Sequence, residues 1–482
     1  MVATERRKWL ALALLSTVQF MVVLDIAVVN VALPSIKLDL GFSEENLQWV
    51  ISAYALVFGG FLLLGGRAAD VVGRRRVFLG GLLVFTVASL LAGLAWSEAS
   101  LIGARALQGL GAAIISPAAL SMVSTTFSEG RERNIALGVW GAVGGFGAAA
   151  GVLLGGIFTE LLSWSWIFFV NVPVGATALV LAPLLLAESR DAHVRRFDVP
   201  GGVLVTTGLS ALVYAITQAG QEGWSAGRTV AAFAGALVLL TGFVVWELRH
   251  PEPLMRLGIF RIRTIAGANV AGLILGTALF SMFLMLTLYM QQVLGYSPLQ
   301  AGVAYLAVAG SAIVWSAVAA SLVTRVGVKP VLVTGMASLT AGVVYFTQIS
   351  VGGSYLGDLL PGFLLVALGI GFSFVPISIA ALAGVEAREA GLASGLINTT
   401  QQIGGALGIA ALSTIATSRT SDALAAGSPL SASLVHGFTG AFVAGAGIAA
   451  VGILAALTLI RRDELERSPA QVEPEPALDL AA

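Results

Sequence analysis

The chain has 482 residues, of which 57% are hydrophobic and 11% charged, with 26 Lys plus Arg against 26 Asp plus Glu, and its mean hydropathy is +0.93. Soluble domains carry about 25% charged residues, so a soluble enzyme and a nucleic-acid binder are both excluded, and zero net charge gives no field to steer the chain onto an acidic polymer. Cysteine is absent, which removes disulfides, thiolate metal sites and thiol nucleophiles; His193, His250 and His436 stand too far apart for metal-ligand spacing.

About 20 predominantly apolar residues span a bilayer as a helix. Runs of that kind fall at 10–34, 47–66, 76–96, 99–126, 135–158, 164–187, 199–219, 228–247, 265–291, 299–323, 329–350, 357–383, 390–416 and 438–460, fourteen in all. They are continuous and rich in Leu, Ala and Gly, unlike the alternating segments of about ten residues in a β-barrel. The first is too long, and followed by too many others, for a cleaved signal peptide. With the N-terminus inside, 22 of the 26 Lys and Arg residues fall in cytoplasmic segments; Lys37, Arg228 and Arg419 lie outside and Arg105 within a helix. The positive-inside rule then predicts an all-α, multi-pass protein of the cell membrane, embedded in the bilayer with both termini cytoplasmic.

Two connections resemble each other. Gly66 to Arg76, with Asp70, Gly73 and Arg74–Arg76, follows the second span, and Ser321 to Pro330, with Arg325, Gly327 and Lys329, follows the tenth. Each sets a glycine turn and basic residues between two spans, which predicts two six-helix bundles as parallel repeats, a transporter architecture with substrate bound between the halves. The expected divisions are 1–190 for the first bundle, 191–258 for two inserted helices and an interfacial segment, 259–461 for the second bundle, and a disordered cytoplasmic tail at 462–482. His250–Thr264, with apolar residues among arginines, reads as an interfacial amphipathic helix.

Few residues in these spans can carry chemistry. Asp25 is the clearest intramembrane acid. Such groups are costly and mark ion or proton pathways, so Asp25 is read as a titrating site or as half of a fixed salt bridge. At 1.5 Å per residue, Asp25 and Arg105 both lie about 22 Å from the inner face, a depth that permits pairing; Arg105 could equally hold a helix carbonyl. Asp70, Gly73 and Arg74 form a candidate conformational latch, with topology anchoring as the alternative for the arginines. Gly147, Gly151 and Gly155, with Gly156, give the four-residue spacing at which helices approach closely. Gln19, Phe20, Asn30, Tyr54, Gln108, Trp140, Phe283, Tyr289, Asn398, Gln401 and Gln402 are candidates for an aromatic, weakly polar substrate cavity, each with an interhelical hydrogen bond or a belt position as its alternative.

Six stretches together resemble the major facilitator superfamily, in its fourteen-helix drug:proton antiporter branch. Gly66–Arg76 matches the family's loop signature, with Ala68 and Val71 departing from the usual Leu and Arg. Leu24–Pro34, with Asp25 and Asn30, resembles the branch's first-helix signature, with Ala27 in place of Thr. Arg105–Gly111 resembles the proton-coupling motif. The fifth-span glycines, including Gly138, resemble the antiporter motif, though Val152 replaces its proline. Trp166–Pro173 and Gly395–Gln402 are similar to two further signatures. The resemblance implies a major facilitator fold and a role for Arg105 in proton coupling.

No phosphate loop of the Gly-x4-Gly-Lys-Ser/Thr kind occurs, so an ion gradient is the expected energy source, with no cofactor. The sequence therefore predicts a monomeric, non-enzymatic, proton-coupled exporter of hydrophobic or cationic compounds such as antibiotics. The alternative is an exporter dedicated to one metabolite or self-made antibiotic. A channel is disfavoured by the lack of a charged ring or filter sequence.

Overall fold

A computed structural model describes residues 2–127, 131–189, 198–251, 253–254, 257–383, 390–461 and 465. Fourteen long helices run through them: α1 Val2–Leu40, α2 Trp49–Val72, α3 Arg74–Gly93, α4 Glu98–Thr126, α5 Arg131–Leu161, α6 Asn171–Leu185, α7 Val199–Glu222, α8 Gly227–Arg249, α9 Arg263–Leu288, α10 Pro298–Val326, α11 Val328–Tyr345, α12 Leu360–Ala381, α13 Ala390–Ala425 and α14 Leu430–Leu459. No strand occurs among the described residues. A single turn, Trp166–Phe169, precedes α6. One π turn, Tyr289–Val293, prolongs α9, and another, Tyr355–Leu359, leads into α12.

Each predicted span corresponds to one of these helices. The main boundary differences are at α1, which extends beyond its apolar run at 10–34 to Val2 and Leu40, and at α13 and α14, which extend beyond theirs at 390–416 and 438–460 to Ala425 and back to Leu430. Intrahelical hydrogen bonding does not stop where apolarity does, so polar turns such as Arg419–Asp422 remain helical. The interfacial helix expected over 250–264 is replaced by a single 3-10 turn, Leu257–Arg261. Pro251 and Pro253 each remove a backbone donor and disfavour helical conformation in the residue before them. Ile259 and Ile262 nevertheless pack against buried Ile265 and Ala393. The expected tail, apart from Leu465, lies outside the described residues.

Among the first six helices, α2 and α3 pack on α4, α1 on α5, and α6 on α1 and α3. Among the last six, α9 packs on α13, α11 and α10 on α12, and α14 on α9, α11 and α13. Two seams join the sets, α5 against α10 and α2 against α13. The inserted hairpin pairs α7 with α8 and lays α7 against both α2 and α13: Thr217 Oγ1 accepts from Gln48 Nε2 at 2.9 Å, and the Ile216 carbonyl accepts from Thr414 Oγ1 at 3.4 Å.

The duplicated connections share their backbone. Gly73 (φ 120°) sits alone between α2 and α3, and Gly327 (φ 90°) alone between α10 and α11. Both glycines return an N–H to the preceding helix, Gly73 to the Ala69 carbonyl at 3.1 Å and Gly327 to Val323 at 2.9 Å. Only glycine adopts such positive φ freely. The surroundings differ. A Cβ at Gly73 would stand 2.7 Å from Glu188 Oε1, whereas Gly327 has nothing within 4 Å. Glu188, past the end of α6, accepts from the Arg75 backbone N–H at 3.1 Å and faces the Arg75 and Arg76 guanidinium groups at 3.9 and 3.7 Å.

Gly73→Ala and Gly327→Ala should therefore differ in cost. Both incur backbone strain of about 1–3 kcal/mol, but only Gly73→Ala also displaces Glu188 from the start of α3. Thermal unfolding of the two purified variants in detergent should show the larger drop in Tm for Gly73→Ala.

Candidate functional site

Asp25 lies midway along α1 and is fully buried. Its Oδ2 accepts from Arg105 Nη1 of α4 at 2.6 Å. Its Oδ1 accepts from Gln108 Nε2 at 3.0 Å and from Asn171 Nδ2 at 2.8 Å. Arg105, 1% exposed, also donates from Nε to the Val50 carbonyl of α2 at 2.9 Å and from Nη1 to Gln108 Oε1 at 2.8 Å. Its guanidinium carbon stands 4.3 Å from the centroid of the Tyr54 ring, within cation–π range. Ser89 of α3 completes the cluster, accepting from Gln108 Nε2 at 2.7 Å and donating to the Phe85 carbonyl at 2.8 Å.

Helical spacing explains the convergence. Arg105 and Gln108 are three residues apart, so both project from one face of α4, and Asn171 opens α6 after the break at Val170. Five helices thus meet around one carboxylate: α1, α2, α3, α4 and α6. A buried ion pair is tolerated where extra hydrogen bonds satisfy both partners. Oδ1 thus accepts two hydrogen bonds and Oδ2 one.

The glycine stripe lies alongside. A Cβ at Gly151 would stand 2.7 Å from Ala27 Cβ and 2.9 Å from the Leu24 carbonyl, one at Gly155 2.7 Å from the Val28 carbonyl, and one at Gly147 3.2 Å from Val23 Cβ. These glycines press α5 onto the residues that flank Asp25. Gly156 instead faces α10, where a Cβ would lie 2.7 Å from Leu299 Cα. At this end, opposite the N-terminus, two hydrogen bonds cross between the helix sets: Leu299 N–H to Glu160 Oε2 at 3.0 Å and Gln291 Nε2 to the Val31 carbonyl at 2.8 Å.

The cavity candidates are dispersed. Gln108 and Tyr54 belong to the charged cluster. Asn30 donates to the Ile26 carbonyl of its own helix at 3.2 Å, and the Tyr289 hydroxyl to the Ser350 carbonyl at 2.7 Å. Gln19 accepts from Ser116 at 3.2 Å, Phe20 stacks on Phe146 with centroids 5.7 Å apart, and Phe283 packs on Tyr305 at 4.8 Å. Trp140 is half-buried and Asn398 exposed, while Gln401 and Gln402 are buried. Of the latch candidates, Arg74 donates its backbone N–H to the Ser189 carbonyl at 2.9 Å; the Asp70 side chain lies outside the described residues.

Sequence reasoning does not single out Asn171 and Ser89 as site residues. Asn171 carries a signal, as the one amide in the apolar stretch Trp166–Pro173. Ser89 carries none, being a small residue in an apolar run.

A family model described as the Major Facilitator Superfamily matches residues 15–409, and the chain belongs to that family of membrane transporters. It is 42% identical over 463 residues to the puromycin resistance protein pur8 of Streptomyces alboniger, covering 95% of this chain and 92% of that one. It is 43% identical over 437 residues to the cephamycin export protein CmcT of Amycolatopsis lactamdurans, covering 90% and 88%. Among solved structures, a point mutant of the nucleoside transporter NupG matches with a TM-score of 0.67 at 12% identity, covering 94% of this chain and 100% of that one. A bacterial homolog of the human lysosomal transporter Spinster, inward-facing and unoccupied, matches at 0.65 and 15%, covering 94% and 98%. These neighbours establish the fold. The relatives are drug and antibiotic resistance and export proteins, which puts this chain among efflux transporters.

Arg105→Ala should leave Asp25 as an uncompensated buried charge and cost about 3–5 kcal/mol. Asp25→Asn added to Arg105→Ala should recover much of that loss, because the charge requiring compensation is gone. Denaturant unfolding of both variants and the wild type in detergent would measure the coupling; additive losses would contradict it.

Proposed function

We propose that the chain is a proton-coupled exporter of amphiphilic, hydrophobic or cationic compounds, antibiotics among them. It works by alternating access as a monomer in the cell membrane, with both termini cytoplasmic and the proton gradient as its only energy source, needing no cofactor. The single observation behind this reading is the Asp25 carboxylate, fully buried on a membrane-spanning helix and held by Arg105, Gln108 and Asn171. Intramembrane acids in such settings take part in proton pathways.

Protonation removes the negative charge on which the pairing with Arg105 depends, and that competition supplies the coupling. With Asp25 ionised, Arg105 is bound to it and ties α1 to α4. A proton on Asp25 releases that tie, while Val50, Gln108 and Tyr54 keep the guanidinium in place. The helices around α1 then settle into a different arrangement, since a contact made in one state biases the equilibrium between states. The hydrogen bonds at the end opposite the N-terminus fit a state closed to the exterior, and Glu188 with Arg75 and Arg76 at the N-terminal end stays within one bundle.

A second reading is an exporter dedicated to a single compound. The puromycin resistance protein pur8 and the cephamycin export protein CmcT, each named for one antibiotic, favour it. A resistance panel of chemically unrelated compounds in a strain lacking other pumps separates the two readings.

Asp25→Asn should fold and insert as the wild type does yet lose proton-driven efflux, because an amide does not titrate. Arg105→Lys should retain only part of the activity, since an ammonium lacks the planar fork that reaches Asp25, Gln108 and the Val50 carbonyl together. Uptake of labelled puromycin into everted vesicles, with and without an uncoupler, measures both; wild-type rates in Asp25→Asn would contradict the coupling role.

A further inference from the structure

The seam between α2 and α13 is built from two facing stripes. On α2 the stripe runs through Ser52, Ala55, Gly59 and Leu63, and on α13 through Gly395, Thr399, Gln402, Ala406, Ala410 and Ser413, at the three- and four-residue steps of one helix face. Contacts fix the pairing. A Cβ at Gly59 would stand 3.0 Å from Gln402 Cβ and 3.3 Å from the Thr399 carbonyl, and one at Gly395 2.6 Å from Leu63 Cδ2. Ala55 and Leu56 share a buried cluster with Ala406 and Ala410. The antiparallel register also sets Gln48, just before α2, level with Ser413.

Polar atoms along this seam are left over. Gln48 Oε1, Ser52 Oγ, Thr399 Oγ1, Gln402 Nε2 and Ser413 Oγ are buried without a hydrogen-bond partner, on residues 0–8% exposed. Each such atom is destabilising where it stands. Gathered on one buried contact between two bundles, they make sense if a second state gives them partners. Neither stretch, 48–63 or 395–413, contains a charged residue, so the seam itself offers only neutral donors and acceptors and no counter-charge.

We infer that the Thr399–Gln402–Ser413 face of α13, with Ser52 and Gln48 opposite, is a hydrogen-bonding strip of the substrate path. It is closed in this state and, when the seam parts, takes hydroxyl, amide or carbonyl groups carried on an otherwise apolar compound. The inference rests on the exporter reading above. It separates two tasks: apolar surface admits a lipophilic body, and the strip selects passengers that bear neutral polar groups.

Two probes test it in proteoliposomes containing the full chain: puromycin, which carries hydroxyl and amide groups, and tetraphenylphosphonium, a lipophilic cation with none. Thr399→Val/Gln402→Leu should keep or raise the Tm, lower puromycin transport about tenfold for the two hydrogen bonds lost, and leave tetraphenylphosphonium transport unchanged. Equal losses for both probes, or no loss for either, would overturn the strip. An independent readout uses the absence of native cysteine: Ser413→Cys should react with a small maleimide about tenfold faster under an imposed proton gradient than without one. An unreactive Ser413→Cys in both conditions would overturn the strip whatever transport shows. If the wild type moved neither probe, the broad-specificity exporter reading would fall, while the labelling still decides whether the seam opens.

Discussion

The N-terminal bundle is organised around one ion pair that membrane physics makes costly to keep and more costly to break. Asp25 and Arg105 are both sealed from solvent, and each is satisfied only because other helices contribute: α2 through the Val50 carbonyl and the Tyr54 ring, α3 through Ser89, α6 through Asn171. The glycine stripe of α5 presses on the turns either side of Asp25. Any change in the charge state of this one carboxyl therefore acts on contacts that reach five helices, α1, α2, α3, α4 and α6.

The duplicated halves do not share this chemistry. Ser89 lies sixteen residues beyond Gly73, and the residue at the same distance beyond Gly327 is Val343. Val343 lines a small apolar cavity with Met282, Met285, Leu412 and Phe442, and the neighbouring interior is occupied by the Tyr305, Phe346 and Phe363 rings. Two bundles with related backbones thus carry different interiors, one polar and charged, the other aromatic and aliphatic. The two connections share a turn geometry that positive φ enforces, while the side chains at equivalent distances beyond them differ.

The helices are legible because length and apolarity are what a bilayer demands of a span, and that demand acts on every residue of a run. Asp25 and Arg105 are legible because charge within such a run is rare. Their partners are less so: Gln108 and Tyr54 group by composition with cavity-lining residues, since a sequence shows that a polar group is buried but not whom it meets. Ser89 is invisible, because a serine in an apolar helix commonly bonds its own backbone. The 250–264 segment misleads because its composition suits an amphipathic helix, while Pro251 and Pro253 disfavour helical conformation over its opening residues.

The inserted hairpin gives the two seams between the bundles different neighbours. α7 lies over the α2–α13 seam, with Gly60 directly against Thr206 and Gln48 bonded to Thr217. Among the described residues no inserted helix lies over the α5–α10 seam, and Val303, Val314 and Val318 of α10 remain exposed. The molecule accordingly presents two flanks to the lipid, one shuttered and one not. Any parting of the α2–α13 seam must therefore carry or bend the hairpin that covers it, whereas among the described residues parting of α5 from α10 displaces no inserted helix.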